Sequence, residues 1–108
     1  MKYNIFTIPP FDRQFKRLAK KHPSLKNDFT KLILQLELRP ETGTALGNNC
    51  FKIRLSVSSK GKGKSGGARV ISHLQITKQH IFLLTIYDKA ERDSISNAEL
   101  KELLKFIQ

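Results

Sequence analysis

Hydrophobic positions change period several times along the chain, and each change marks an element. Lys2 to Ile8 follows the two-residue period of a strand, with Tyr3, Ile5 and Thr7 on one parity and Phe6 and Ile8 on the other. Pro9 and Pro10 end it, because proline gives no amide to a sheet ladder. From Phe11 the period is helical: Phe11, Phe15, Leu18 and Ala19 share one face, while Asp12, Arg13, Lys16, Arg17, Lys20 and Lys21 take the other. His22-Pro23 stops this helix, since the residue before a proline is pushed out of the helical region. A second helix follows with Ser24 as the expected N-cap, a stripe of Leu25, Phe29, Leu32, Ile33 and Leu36, and a stop at Arg39-Pro40. So short a connection predicts a hairpin of antiparallel helices.

The next segment, ETGTALGNN over 41–49, reads as a turn-rich link. Strict alternation follows: Phe51, Ile53, Leu55 and Val57 against Lys52, Arg54, Ser56 and Ser58, a strand with one oily and one cationic face. GKGKSGG over 61–67 reads as a mobile connection to a strand over Ala68–Ile76. After a turn at Thr77–His80, IFLLTIY is apolar on both parities and predicts a central strand covered on both faces. A charged link over 88–92 leads to a closing helix. Its start is explicit: Ser96 as N-cap, Glu99 for a capping box, and Ile95 with Leu100 as a hydrophobic staple. Leu100, Leu103, Leu104 and Ile107 form its apolar side. The element order is β-α-α-β-β-β-α, with the last three strands a meander.

A length of 108 residues with 39% hydrophobic content supports one compact domain over 1–108. Charge changes the picture more than size does. The formal net charge is +11 and the isoelectric point about 10.1, a balance that calls for nucleic acid or an anionic membrane surface. Nucleic acid is favoured, because a membrane partner calls for a basic amphipathic helix with a broad apolar face or a spanning run of about 18 apolar residues, and no such run exists: the longest apolar stretch, Ile81–Ile86 with Thr85 inside it, is strand-sized. Met1 is followed at once by a strand pattern rather than an export leader, so a cytoplasmic location is expected and no membrane partner. Cys50 stands alone, which leaves no internal disulfide and no cysteine-based metal cluster.

The cations concentrate between Phe51 and Arg69, as Lys52, Arg54, Lys60, Lys62, Lys64 and Arg69, and no acidic residue lies between Glu41 and Asp88. The GKS at 63–65 imitates the end of a phosphate-binding P-loop, but that motif needs glycine where Ser58 stands and a helix where ARVIS follows. Lys60, Lys62 and Lys64 are instead candidates for direct phosphate or RNA contact, against the plainer reading of a solvated charge run. His22, His73 and His80 are scattered, so no metal site and no cofactor is expected. His73 shares parity with Arg69 and Ile71, and is read either as a structural histidine or as an RNA contact and base on the cationic face.

Lysines and arginines without a metal can still cleave RNA, because the 2′-hydroxyl is a nucleophile already in place beside the phosphate. Arginine suits the stabilisation of added charge on phosphate, and lysines crowded among cations move toward useful proton transfer. DNA lacks the hydroxyl, so a catalytic site of this kind takes RNA.

FDRQFKRLAKKHPSLKNDF, FKIRL, GKGKSGGARVI, LLTIYDKAERDSIS and ELKELL together resemble the RelE/ParE superfamily of toxins from bacterial toxin–antitoxin pairs, nearest its RelE/HigB-like branch. The resemblance implies an α+β fold: a small twisted antiparallel β-sheet of about four strands with helices packed on one face. It implies metal-independent cleavage of mRNA in the ribosomal decoding site, inhibition by a cognate antitoxin protein in a hetero-oligomer, and ribosome and mRNA as the other partners. Lys52 and Arg54 match the two basic positions of the family's first catalytic strand, and Arg69 matches the arginine that faces the scissile phosphate. The family's arginine after the last strand and the tyrosine beyond it fall on Ala90 and Ser96 here, a departure from the pattern. Lys89 or Arg92 is the candidate replacement for the arginine, and Tyr87 the candidate aromatic for stacking on a base. Two other functions stand beside this one: a ParE-like toxin that binds DNA gyrase without catalysis, and a basic RNA-binding module without toxicity.

Overall fold

The computed structural model describes residues 2–61, 63 and 66–107. The elements run β1 (Asn4–Thr7), α1 (Pro9–Lys21), α2 (Leu25–Leu38), β2 (Thr44–Gly47), β3 (Cys50–Leu55), a 3-10 turn at Ser58–Lys60, β4 (Ala68–Gln75), β5 (His80–Asp88) and α3 (Asn97–Leu104). They form one five-stranded sheet in the order β1-β5-β4-β3-β2. The strands from β2 to β5 are antiparallel neighbours, while β1 lies parallel to the central β5, with Asn4 opposite His80. The sheet is therefore mixed, with an α+β order close to that expected.

The additional strand is β2, in the segment whose composition reads as a link. Asn48 and Asn49 both take left-handed backbone conformations, at φ 54° and 57°, and join Gly47 to its partner Cys50 as a two-residue hairpin turn. Such turns need positive φ at both central residues, which asparagine tolerates. Gly43 enters this hairpin at φ 109°, where a Cβ would stand 2.5 Å from the Lys52 carbonyl oxygen. α1 starts earlier than its hydrophobic period, at Pro9, because proline fits a helix's first turn. Ser24 makes no backbone cap for α2; its Oγ donates to Asp28 Oδ2 instead, at 2.7 Å.

Helices cover both faces of the sheet rather than one. Phe11 and Leu18 of α1 and Leu25, Leu32 and Leu36 of α2 pack with Ile53, Leu55, Val70, Leu83 and Ile86. Leu100 and Leu103 of α3 pack on the opposite face with Ile8, Cys50, Ile71, Leu84 and Tyr87. The cause lies in β5, whose apolar residues on both parities need cover on both sides. Its register with β4 slips between Ile71 and Ser72, which pair with Thr85 and Leu83, so Leu84 is the extra residue of a bulge. That slip lets Leu83 and Ile86 face the same helices despite their odd spacing.

Candidate nucleic-acid interface

Sheet register decides which cations meet. Arg54 pairs across to Arg69, and Lys52 to Ile71, so the three basic residues fall on the face that α3 covers only in part. Arg69 in turn pairs across to Tyr87 of β5. One row, Arg54–Arg69–Tyr87, thus crosses three strands, with Lys52 two residues along. Arg54 is exposed, Lys52 is half-buried, and Arg69 is only 4% exposed. Arg69 donates to the Ala68 carbonyl at 3.1 Å. Gly67 precedes this row because nothing larger fits: a Cβ there would meet the Leu55 carbonyl oxygen at 2.0 Å.

The segment after β5 closes over the row and is pinned at several points. The Lys89 amide donates to Gly67 O at 3.0 Å, and its ammonium pairs with Asp93 one helical turn on. Arg92 forks onto Glu99, at 3.0 and 2.5 Å, and lies 5.0 Å from the centroid of the Tyr87 ring. Glu91 reaches the other way, accepting from both terminal nitrogens of Arg17 on α1. The Asp93 carboxyl is held below its ordinary range first by Lys89, with smaller contributions from Lys52 and Arg69. An acid therefore accompanies the cationic row, and any polyanion landing there competes with it. Burial pushes the Tyr87 phenol above its usual pKa, against the pull of Arg92 and Arg69. Its hydroxyl has no hydrogen-bond partner among the described residues.

This arrangement suits a phosphodiester, with guanidinium and ammonium groups from two strands on one face. Among the described residues no group of three or more His, Cys, Asp or Glu could hold a metal ion. Residues 11–107 match the family described as the RelE toxin of the RelE/RelB toxin–antitoxin system. The chain belongs to the RelE toxin family. Solved structures agree with this RelE fold. An arginine-to-alanine double mutant of Escherichia coli RelE in the free state is 15% identical, with each chain fully covered and a TM-score of 0.66. The toxin–antitoxin complex RelBE2 from Mycobacterium tuberculosis is 13% identical, covering 83% of this chain and 94% of that one, with a TM-score of 0.56. The isolated E. coli RelE toxin is 16% identical over 98% and 99% of the two chains, with a TM-score of 0.52.

The remaining candidates of this RelE-family chain are placed less uniformly. Lys60 does not join the row: it sits on the 3-10 turn with its ammonium on Asp88 and only 10% of its side chain exposed. That turn is anchored, because Ser58 donates to Asp28 at 2.8 Å through Oγ and at 3.0 Å through its amide. Lys62 and Lys64 lie outside the described residues, as does Ser65 of the GKS motif. Tyr87 is buried to 4% exposure beneath Arg92, so its ring offers no open platform for a base. Arg92 has its donors on Glu99 and the Ser94 carbonyl, which ties it to the start of α3. His73 shares the face but stands four residues from Arg69, half-buried, with Nδ1 3.4 Å from Cys50 Sγ. Burial lowers its pKa, partly offset by a hydrogen bond to the Asn48 backbone.

Asp93 and Glu99 are acidic neighbours of the row whose partners sequence reasoning misses. The four-residue spacing from Lys89 to Asp93 carries the signal for one ion pair. Nothing local announces that Glu99 turns to Arg92 while its amide still donates to Ser96 Oγ at 3.1 Å.

Proposed function

We propose that the chain is a toxin that cleaves mRNA on translating ribosomes in the cytoplasm without a metal, and that a cognate antitoxin silences it by covering the cationic face. The observation that carries this reading is the register pairing of Arg54 with Arg69, with Lys52 beside them on the same face. In the proposed reaction the RNA 2′-oxygen attacks the neighbouring phosphorus. The bond to the 5′-oxygen breaks, and the products are a 2′,3′-cyclic phosphate and a 5′-hydroxyl end. Arg54 and Lys52 bind the phosphate oxygens and stabilise the charge that grows on them, with Arg69 behind them as a fixed positive charge. RNA displaces the Asp93 carboxylate as it docks.

Purified protein is added to a translating extract and the mRNA ends are mapped. Cuts at fixed positions in ribosome-bound mRNA are expected, and Lys52→Ala with Arg54→Ala lowers the cleavage rate by about 100-fold, the usual scale for losing charge stabilisation at a reacting group. Intact mRNA alongside normal ribosome binding overturns the catalytic reading. A gyrase-directed function has one observation in its favour: Ala90 brings no polar side chain, and Ser96 Oγ is occupied in capping α3. It predicts double-strand DNA breaks without mRNA cuts on expression. Harmless expression without antitoxin selects an RNA-binding module.

A further inference from the structure

The partly covered face holds a second polar recess, at the far end of β4 from Arg69. The C-terminal half of α3, the β2–β3 turn and the β4–β5 turn border an open cleft of about 700 Å3. Lys78, Lys101 and Lys105 line it together with Asn48, Asn49 and His73, and among the described residues no carboxylate does. Lys105 also pairs with Glu102 at 3.0 Å on the exposed side of the helix. The side chains of Lys78 and Lys101 have no hydrogen-bond or ion-pair partner among the described residues.

Its floor is prebuilt. The two asparagines are held in left-handed conformations by the hairpin, with Asn49 O accepting from the Leu74 amide at 2.8 Å. Asn48 O accepts from Cys50 Sγ at 3.5 Å and from the His73 ring. Their backbone is fixed, while the exposed amide side chains offer donors and acceptors to whatever enters. A rigid polar floor under uncompensated lysines fits phosphate groups and the edges of an RNA strand. The wall is short of apolar anchors, since Leu104 and Ile107 are its only aliphatic side chains among the described residues, which argues against a folding peptide segment as the occupant.

We infer that this recess is a second RNA-binding site, which holds phosphates of the same or a neighbouring RNA strand while the Lys52–Arg54–Arg69 row engages another. His73 and Arg69 are about 13 Å apart along β4 at ordinary strand rise, close enough for one extended RNA strand to touch both. The inference rests on RNA being the ligand of this face, as proposed above. His73 is the brace of this recess rather than a base of the cationic row.

The test compares the full-length protein with its Lys78→Ala/Lys101→Ala variant on two probes: a single-stranded oligonucleotide with 2′-O-methyl groups, which keeps the phosphates but cannot be cleaved, and ribosomes free of mRNA. Affinity is measured across a salt series. Loss of two phosphate contacts is expected to flatten the slope of log K against log salt by about 1.4 on a single strand, at about 0.7 per phosphate. Flattening on the oligonucleotide assigns the contacts to the strand to be cut; flattening on empty ribosomes alone assigns them to ribosomal RNA. Cleavage by saturating protein is expected to be unchanged, since neither lysine touches the reacting phosphate. Unchanged slopes on both probes overturn the inference, and so does weaker antitoxin binding with both slopes intact, which gives the recess to an acidic protein segment. A flattened slope with wild-type protein that leaves mRNA whole keeps the recess and removes the endonuclease.

Discussion

The two faces of the sheet share the same strands and treat charge differently. Under α1 and α2, each buried carboxylate sits in a closed set of donors at the rim of the apolar core. Asp88 accepts from His22 Nε2 at 3.0 Å, from the Ala90 amide at 2.9 Å and from the Lys60 ammonium. Asp28 accepts from Ser24 and twice from Ser58. Across the sheet, neither Lys52 nor Arg54 makes an ion pair among the described residues. With 20 lysines and arginines against 9 acids, most cations must lack a carboxylate, and what matters is where they gather. α1 and α2 also carry cations unpaired among the described residues, along their solvent sides. Only the other face sets Lys52 and Arg54 beside Arg69 on the sheet itself, where a single eight-residue helix, α3, shields them only in part. The first face uses charge to hold loops in place; the second does so only around the 89–93 segment and presents Lys52 and Arg54.

The comparison breaks most visibly at Asp88. Removing its carboxylate leaves the Lys60 ammonium buried without a counter-charge and orphans the Ala90 amide. Asp88→Ala is therefore expected to cost about 3 kcal/mol in denaturant unfolding, the scale for breaking a buried pair on one side. Adding Lys60→Met recovers part of that loss, because the uncompensated charge goes with it. Acid gives the same contribution in another form. Burial alone would raise the Asp88 pKa, but Lys60, the Ala90 amide and His22 outweigh it and hold the carboxyl at about 2 against an ordinary 3.8. A depressed folded pKa stabilises the native state fully above the unfolded value, and that stabilisation is lost as pH falls through 3.8 toward 2. Wild type is expected to lose about 2 kcal/mol more than Asp88→Ala over that window, by calorimetry at stepped pH. Equal acid sensitivity of the two proteins would place the effect elsewhere.

Most of this fold is legible in the order of its side chains, because periodicity reports what a residue must avoid. The stripes of α1 and α2, the alternation of β3 and the Ser96 cap each encode burial locally, and each is found where the pattern places it. β2 is hidden from such reading for a physical reason. Its four residues carry little apolar signal, and the cue is the turn chemistry of Asn48-Asn49 rather than hydropathy. The position of α3 is implicit in β5: a strand apolar on both parities requires cover on its second face, so a helix has to lie there. Within the site, parity gathers Lys52, Arg54 and Arg69 on one face but cannot show how deep each one lies. Arg69 is buried, and the 89–93 segment beside it takes a course that depends on ion pairs to residues as distant as Arg17. The place of Lys60 escapes a local pattern for the same reason, since Asp88 lies 28 positions away in the chain.

A smaller effect sharpens the contrast through two orphan hydroxyls, one on each face. Ser72 Oγ, which faces α1 and α2, and Tyr87 Oη, which faces α3, are both buried without a hydrogen-bond partner among the described residues. Deleting an unsatisfied buried hydroxyl removes a desolvation penalty, so Ser72→Ala and Tyr87→Phe are each expected to raise stability by about 1 kcal/mol in parallel denaturant titrations. Their activities are expected to stay together. Ser72→Ala leaves RNA cleavage alone. Tyr87→Phe is expected to leave it alone as well, because that hydroxyl is buried beneath Arg92 and reaches no ligand. Loss of stability in Tyr87→Phe would mean that the hydroxyl has a partner after all.

The smallest expected effect on stability carries the most weight for function. Arg54 is exposed and has no ion pair among the described residues, so Arg54→Ala is expected to change unfolding free energy by less than about 0.5 kcal/mol, as exposed substitutions away from special features do. Its β3 neighbours Ile53 and Leu55 are buried and hold the strand without it. A large cost for Asp88 against a few tenths of a kcal/mol for Arg54 is what a division between structural and presented charge requires. A measured cost for Arg54→Ala near that of Asp88→Ala would mean that both faces use their cations to fold. A negligible cost together with weakened RNA binding leaves Arg54 with no role in the fold and one in ligand capture.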